Sequence, residues 1–406
     1  MTDQNKKIDI VVKYFLPVMA GIEVNVLETY SKLVENGWQV TVHTSKDTYL
    51  EKNILPERSE IRGIKVKRYQ FRWYGFFPVI NYQETNLVAL HNFDIFPHSH
   101  LLLLFAIKKL MGKKNFALVL TPHGGFNPEW SIFSLVQRLI KRTYHDTVGK
   151  WLVNFVVDGV RAVSQWEKRE MVKSGIEEEK VQTITNGLEN EAFLDIEKQG
   201  SKSVRAEVKS YGRYIFGNAR IYEIKNQKTI IRALPLIPKD IKFVNVGTVG
   251  STIGNQTSTD EYLQRLKKLA KELGVEDRVI FPGIVKGVDK YYLFKHAICF
   301  VHMAIWESFC NVVAEAISQG QICIVANNTA LPFLVKDGIN GFLVETHDYK
   351  KLAEKINFVL DPKNKVTVEN IQKNNLDCGQ KNTWTNVAEK MGKFYVQLVN
   401  KLDNTN

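Results

Sequence analysis

A small set of side chains has types and spacings that can do chemistry. Glu307 and Glu315 are acids with seven residues between them. Ser308 is a good cap, Val312, Val313, Ala316 and Ile317 recur at helical spacing, and Gly320 stops the run, so a helix is predicted from near Phe309. Glu315 then lies inside the helix and Glu307 just ahead of it. A helix start offers backbone N–H groups and the positive end of a dipole, a ready site for phosphate, and the amides near Cys310, Asn311 and Val312 are the ones concerned. From that turn to Glu315 is about 10 Å along the axis, at about 1.5 Å per residue. A sugar diphosphate has a comparable length, so each carboxylate can take hydroxyls at one end of it. The same spacing also suits a helix-face acid at Glu315 and a capping acid at Glu307. Arg220 and Lys225, five apart after a strand end, can clamp a diphosphate through a guanidinium fork and a point charge, although a plain charged loop would read alike.

The Glu-x7-Glu element is followed by a small-residue helix, a strand over 322–326, and Asp337-Gly338-Ile339-Asn340-Gly341. Together these resemble the donor half of retaining GT-B glycosyltransferases, the group often called family four, and Arg220 with Lys225 matches that family's Arg-x4-Lys. The resemblance covers about 8–399. It implies that Glu315 binds the nucleotide's ribose, that Glu307 contacts the transferred sugar, and that the base lies against Pro282-Gly283-Ile284-Val285. Departures are Cys310 and Ala219 where Gly is usual, Ile322 for Pro, and Thr329-Ala330-Leu331-Pro332-Phe333 for a Gly-Gly-x-Pro-Glu loop.

These groups need a scaffold, and 406 residues with 44% hydrophobic content suffice for two cores. No apolar run approaches the roughly 18 residues that span a bilayer, and the start, MTDQNKKIDIVV, enters a strand without a signal-peptide shape. A cytoplasmic protein is expected, possible at the inner face of a membrane as a peripheral one. Cys299, Cys310, Cys323 and Cys378 lack zinc or CxxC spacing, which suits reduced thiols. The formal net charge of +12 points to an anionic partner, with 15 basic against 6 acidic residues between Lys52 and Lys150. Helix-turn-helix, zinc-finger and RNP patterns are missing, so nucleic acid is not expected as a partner.

In chain order, a strand over 8–15 runs into Pro17-Val18-Met19-Ala20-Gly21 and a helix ending at Asn36-Gly37, the opening of a doubly wound unit. Gly21 lets the backbone approach a ligand; in the resembling family two glycines here face the donor phosphates. A strand over 38–44 follows. Residues 62–77 alternate basic and aromatic side chains and read as an edge strand with a solvated loop or as a membrane-interface stretch. Residues 101–114 pose the same choice, with a buried crossover helix and a basic end as the safer reading. His98 and His100 are read as ending a strand that begins near Asp94, without a third ligand for a metal. His123 stands at the carboxyl end of a buried strand over 116–121, beside Gly124 and Gly125. A lone histidine is usually structural; the resemblance implies one that faces the acceptor and donor sugar. Residues 129–157 read as one long amphipathic helix with Arg138, Lys141, Arg142 and Lys150 on a solvated side. Strands over 160–164 and 181–187 follow, with Asn186 as a turn former.

Residues 196–212 contain Gln199-Gly200-Ser201-Lys202-Ser203, the expected linker, which divides the chain at 197/198 into an acceptor-binding and a nucleotide-sugar-binding domain. Strands over 214–218, 242–246, 279–281, 299–302 and 322–326 alternate with helices and predict a second parallel sheet. A helix over 384–402 closes the chain, and the resemblance implies that it crosses back to the first domain. The expected fold is therefore α/β, GT-B, two Rossmann-like domains with parallel sheets facing a central cleft. The expected activity is metal-independent, retaining transfer of a sugar from a UDP- or GDP-linked donor to a glycan or lipid-linked acceptor. No Asp-x-Asp occurs to chelate a metal, so no cofactor is expected, and His123, Glu307, Arg220 and Lys225 are the expected catalytic set. The alternatives are a binding protein with a decayed site and a phosphorylase or epimerase on the same scaffold.

Overall fold

The computed structural model describes residues 6–48, 51–72, 75–249, 257–379 and 382–403, apart from the side chains of 96–98, 257–260 and 403. Residues 1–5, Trp73, Tyr74 and the His98 side chain, all drawn into the sequence reading, lie outside that description. The chain forms two compact units, 1–187 with 384–406, and 188–383.

In the first unit the strands are Lys7–Val11 (β1), Gln39–Ser45 (β2), Arg58–Ile61 (β3), Ile64–Tyr69 (β4), Leu87–His91 (β5), Ala117–Thr121 (β6), Gly159–Ala162 (β7) and Val181–Thr183 (β8). They make one sheet in the order β3-β4-β2-β1-β5-β6-β7-β8, parallel except for the β3–β4 hairpin. Side chains alternate across a strand, so a sheet covered on both faces needs uninterrupted apolar runs. Ala117 and Val119 accordingly enter one core while Leu118 and Leu120 enter the other. The first core is closed by the last helix, Trp384–Asp403: Trp384, Met391 and Tyr395 are buried in it with Tyr30 and Leu33. The second unit has Tyr214–Asn218 (β9), Lys242–Val246 (β10), Val279–Gly283 (β11), Phe300–His302 (β12), Cys323–Ala326 (β13) and Gly341–Val344 (β14). Its order is β11-β10-β9-β12-β13-β14, all parallel.

Several local expectations are corrected. The segment after Asp94 is a helix, Ile95–Leu110, with the Asp94 carboxylate capping the Ile95 amide, and His100 on it reaches the Phe76 carbonyl at 2.9 Å. The expected linker is structured. Ile196–Gln199 and Lys202–Tyr211 are helices, and Ser201 is tied by its amide and hydroxyl to Asp289 at 2.8 and 2.7 Å. Gly200 is there for space, since a Cβ would sit 2.6 Å from the Tyr292 ring. The small, polar residues serve close packing, and the compact units divide at 187/188, ahead of the expected 197/198. Asn186 is no simple turn former. Its Oδ1 accepts from Asn25 at 2.6 Å and from buried Arg161 at 3.3 Å. Two rings of the basic–aromatic stretch turn inward, Tyr69 stacked on buried Phe76 at 5.5 Å, while Phe77 is exposed. The expected long helix over 129–157 is broken into Trp130–Ile132, Leu135–Tyr144, a π-turn His145–Gly149 and Lys150–Val156, because Ser134 and Gln137 make a capping box that restarts it.

If the last helix belongs to the first unit's core, Tyr395→Ala should cost about 3–5 kcal/mol there, as large aromatic truncations do. Calorimetry should show the transition of the first unit moved down and that of the second unchanged; equal displacement of both would contradict the assignment.

Candidate functional site

The second unit assembles the acids and cations from strand ends. β9 ends at Asn218, and Arg220 follows it half-buried, its carbonyl accepting from Gln227 Nε2 at 2.8 Å. Gly247, at the end of neighbouring β10, has φ +143, and a Cβ there would lie 2.3 Å from the Ala219 oxygen, so only glycine allows the two strand ends to approach. Lys225 closes a 3-10 turn, Glu223–Lys225. The turn is pinned by Ile305 N to Ile224 O at 2.8 Å, and by the Asn226 amide, which donates to Met303 O and Thr346 O at 2.9 and 2.8 Å. The same loop delivers Glu307.

Glu307 Oε1 accepts from Lys225 Nζ at 2.6 Å and lies 2.7 Å from His302 Nε2. Its amide donates to Thr329 Oγ1 at 3.0 Å. Burial alone would raise the Glu307 carboxyl, but the Lys225 ammonium and the His302 ring together hold it at about 2. The helix runs Asn311–Ser318, starting later than predicted, because Ala330 N to Glu307 O keeps the loop non-helical. Ser308 is not its cap. Cys310 occupies that position in the left-handed region, φ 79 and ψ 76, with no side-chain capping bond. A side chain there is strained, which gives a physical reason for glycine at the matching place in the resembling pattern. The first intrahelical bonds run from the Val313 and Ala314 amides to Cys310 O, leaving the Cys310 and Val312 amides as the donors a helix start turns outward.

Glu315 is half-buried on this helix, its side chain 12% exposed. Lys290 Nζ lies 3.2 Å from its Oε1 and 3.0 Å from Glu189 Oε2, whereas Glu315 Oε2 is buried with no hydrogen-bond partner among the described residues. Burial pushes its carboxyl up, Lys290 pulls it down, and Glu189 adds to the rise. An acceptor oxygen withdrawn from water and left unpaired is costly, and two hydroxyls of a ribose are the kind of donor it lacks. Ile284 follows β11 and is 58% exposed, so its face is open to a ring.

His302 Nε2, a Glu307 oxygen and Cys310 Sγ lie within 4.8 Å of one another, a grouping a metal ion could use. The donor set fits one poorly. Lys225 already supplies a cation to the carboxylate, and burial pushes the Cys310 thiol well up, against the thiolate a metal wants.

The first unit holds the other two candidates. Gly21 is the first residue of the helix Gly21–Glu35, and a Cβ on it would meet nothing within 4 Å. His123 follows β6 at φ 52, half-buried, in a turn held by Glu167, which accepts from the Gly124 amide and, at 2.6 Å, from the Val163 amide. Its Nε2 is 3.0 Å from His91 Nδ1; His91 Nε2 is 2.8 Å from the Tyr30 hydroxyl, itself 2.6 Å from the Tyr395 hydroxyl. Burial, with the Arg161 charge behind it, pushes His123 down to about 3, so the ring is neutral at physiological pH.

Thus Lys225, Glu307 and Cys310 come together, Glu315 on the helix after Cys310 pairs with Lys290 of the helix Gly287–His296, and Gly21 and His123 belong to the other unit. Sequence reasoning missed His302, Lys290, Glu189, Thr329 and Gly247. Only His302 carried a readable signal, as a histidine closing a buried strand.

The model of Glycosyl transferases group 1 matches residues 203–375, and that of Glycosyltransferase Family 4 matches 19–191. The chain is 24% identical over 411 positions to an uncharacterized glycosyltransferase of Methanocaldococcus jannaschii, covering 95% of this chain and 97% of that one. Sucrose-phosphate synthase of Thermosynechococcus elongatus superposes with a TM-score of 0.75 at 19% identity, over 97% of this chain and 99% of its own. HepE of Anabaena, solved with UDP and glucose, gives 0.71 at 20% identity, over 97% and 100%. The two parallel-sheet units share the GT-B fold of these neighbours.

The Glu307 pairing has a pH signature. The folded carboxyl lies below its ordinary 4.5, so its pairing stabilises the fold above that pH and is lost as pH falls toward about 2. Glu307→Gln should therefore be less stable than wild type by chemical denaturation at about pH 5, with the gap narrowing on acidification along that window. A gap that does not change with pH would show that Glu307 is not held by Lys225.

Proposed function

We propose, for a chain that belongs to the group 1 / family 4 glycosyltransferases, that it moves a sugar from a UDP- or GDP-linked donor to a hydroxyl of a glycan or lipid-linked acceptor, with the anomeric configuration retained and no metal ion. The observation that carries this reading is one helix start flanked by two differently treated acids. Glu307 is neutralised by Lys225 and hydrogen-bonded to His302, and Glu315 keeps one buried oxygen without a partner among the described residues.

In this reading the diphosphate lies against the Cys310 and Val312 amides, with Arg220 and Lys225 as its counter-charge. Glu315 Oε2 accepts from ribose hydroxyls, and the base rests at Ile284. Asn311 completes the first turn that meets the phosphates. Glu307, already the hub of a hydrogen-bonded pair, orients the transferred sugar. The acceptor oxygen forms its bond to the anomeric carbon from the face the diphosphate leaves. The bonding pair of the broken C–O bond passes to the phosphate oxygen, which takes the acceptor's proton. Guanidinium, ammonium and helix amides stabilise the charge gathering on the leaving group, the largest contribution a preorganised site makes. A neutral His123 then positions or polarises the reacting groups without adding charge. The solved UDP and UDP-glucose complexes of HepE favour uridine in the donor. No helix among the described residues is long and apolar enough to cross a membrane. Cys299, Cys310 and Cys323 are buried and unpaired, which favours action on the cytoplasmic side.

Kinetics test the assignment. Arg220→Ala should lower kcat/KM for donor on the order of 10²-fold, the loss typical of one charge-stabilising group. Glu315→Gln should raise the donor KM about tenfold with little change in kcat, as expected for a contact made equally in ground and transition states. EDTA should leave turnover unchanged. Wild-type rates in Arg220→Ala, or loss of activity on chelation with recovery on adding a divalent ion, would overturn the respective statements.

A further inference from the structure

The helix Leu135–Tyr144 is amphipathic, but it docks the wrong way round for a helix covered by water. At about 100° per residue, Leu135, Val136, Leu139 and Ile140 span roughly 140° of its circumference with the exposed Thr143 among them, while Lys141 is on the far side and Tyr144 between that side and Ile140. That far side faces the protein. Lys141 pairs with Asp94, the cap of Ile95–Leu110, and the Tyr144 hydroxyl meets Ser99 at 2.6 Å. The four aliphatic side chains are 80, 66, 69 and 57% exposed. A surface helix ordinarily turns such a stripe to the core, and contiguous exposed apolar surface of this kind marks a contact with something else.

The flanking chemistry identifies the occupant. The segment contains no Asp or Glu. Lys141 is neutralised by Asp94, but Arg142 on the edge of the apolar stripe and Arg138 on the flank beyond it have no carboxylate partner among the described residues: Arg138 Nε donates to Phe133 O, and Arg142 lies over the Trp130 ring. Farther on, Trp151 is 54% exposed, a ring type suited to the boundary between acyl chains and water. A convex apolar face one helix wide, edged by unpaired guanidinium groups, is complementary to acyl chains below a layer of phosphates.

We infer that the Leu135, Val136, Leu139 and Ile140 face of this helix is a docking surface for an anionic lipid bilayer, inserted at headgroup depth with Arg138 and Arg142 on lipid phosphates. The surface deepens the reading of an enzyme acting at a membrane and rests on it for the site of action. Its test measures binding without turnover, so either can fail while the other stands. Of the two stretches with membrane-like composition, that over 62–77 turns its Tyr69 and Phe76 rings into the core but leaves Phe77 exposed, and that over 101–114 leaves Leu103, Ile107 and Leu110 exposed.

The experiment is flotation of the full chain with vesicles of phosphatidylcholine, alone or mixed with phosphatidylglycerol, at low and high salt. Wild type should float with the mixed vesicles and only weakly with phosphatidylcholine alone. Leu139→Ser with Ile140→Ser should lose about tenfold or more in partitioning at unchanged melting temperature, since the substituted side chains contact solvent. Arg138→Gln with Arg142→Gln should weaken binding to mixed vesicles and flatten its salt dependence. Wild-type flotation by the serine variant would overturn the inference. So would absence of vesicle binding together with concentration-dependent self-association that the serine variant abolishes, which would make the face a contact between copies.

Discussion

A carboxylate taken out of water at the end of a parallel strand has to be given a cation, and the organisation of the second unit follows from that demand at Glu307. Lys225 arrives from the turn after β9 and His302 from the last position of β12, so one oxygen ties together two strand ends and the loop before a helix. The bonds that hold the turn, Ile305 to Ile224 and Asn226 to Met303, are backbone or buried amide contacts. The ion pair is therefore presented by a rigid frame, with little side-chain freedom left to lose when a ligand arrives. The strained Cys310 is the local consequence: the chain must leave the Glu307 loop and enter a helix within three residues, and it does so through a left-handed conformation.

Glu315, on the same helix, is handled differently. Lys290 satisfies one oxygen, and no described residue satisfies the other. Together the two acids give the helix one end already neutralised and one end still wanting donors, an asymmetry suited to a ligand that carries phosphates at one point and hydroxyls at another.

The first unit spends its buried polar groups on position. Arg161 is fully buried and reaches the Ile184 carbonyl and Asn25, while His123, His91, Tyr30 and Tyr395 form a continuous hydrogen-bonded row. That row crosses from the turn after β6 to the last helix of the chain, so the orientation of the His123 ring depends on residues far from it in sequence. The helix Leu135–Tyr144 does not turn its apolar stripe inward. Its polar side meets the protein and its apolar side does not, which places its purpose outside the fold.

How much of this was legible beforehand depended on range. Apolar runs such as 116–121 and 242–246 announced buried parallel strands because both faces of such a sheet must be covered; Arg220 and Lys225 were offered by a strand end, and Glu307 by its place ahead of a helix start. Glycine and serine at 199–203 misled, since the same small residues that make a flexible tether also permit the close approach of Gly200 to Tyr292. The sequence by itself thus determined the strand–helix alternation, the two sheets and the residues offered at their edges, all properties of neighbours along the chain. Only the tertiary structure decided that Lys225 meets Glu307 across 82 positions, that Glu315 keeps an oxygen without a partner among the described residues, and that an apolar helix face points away from the core. Pairing and burial are set by which distant segments pack together, and no periodicity within one segment carries that information.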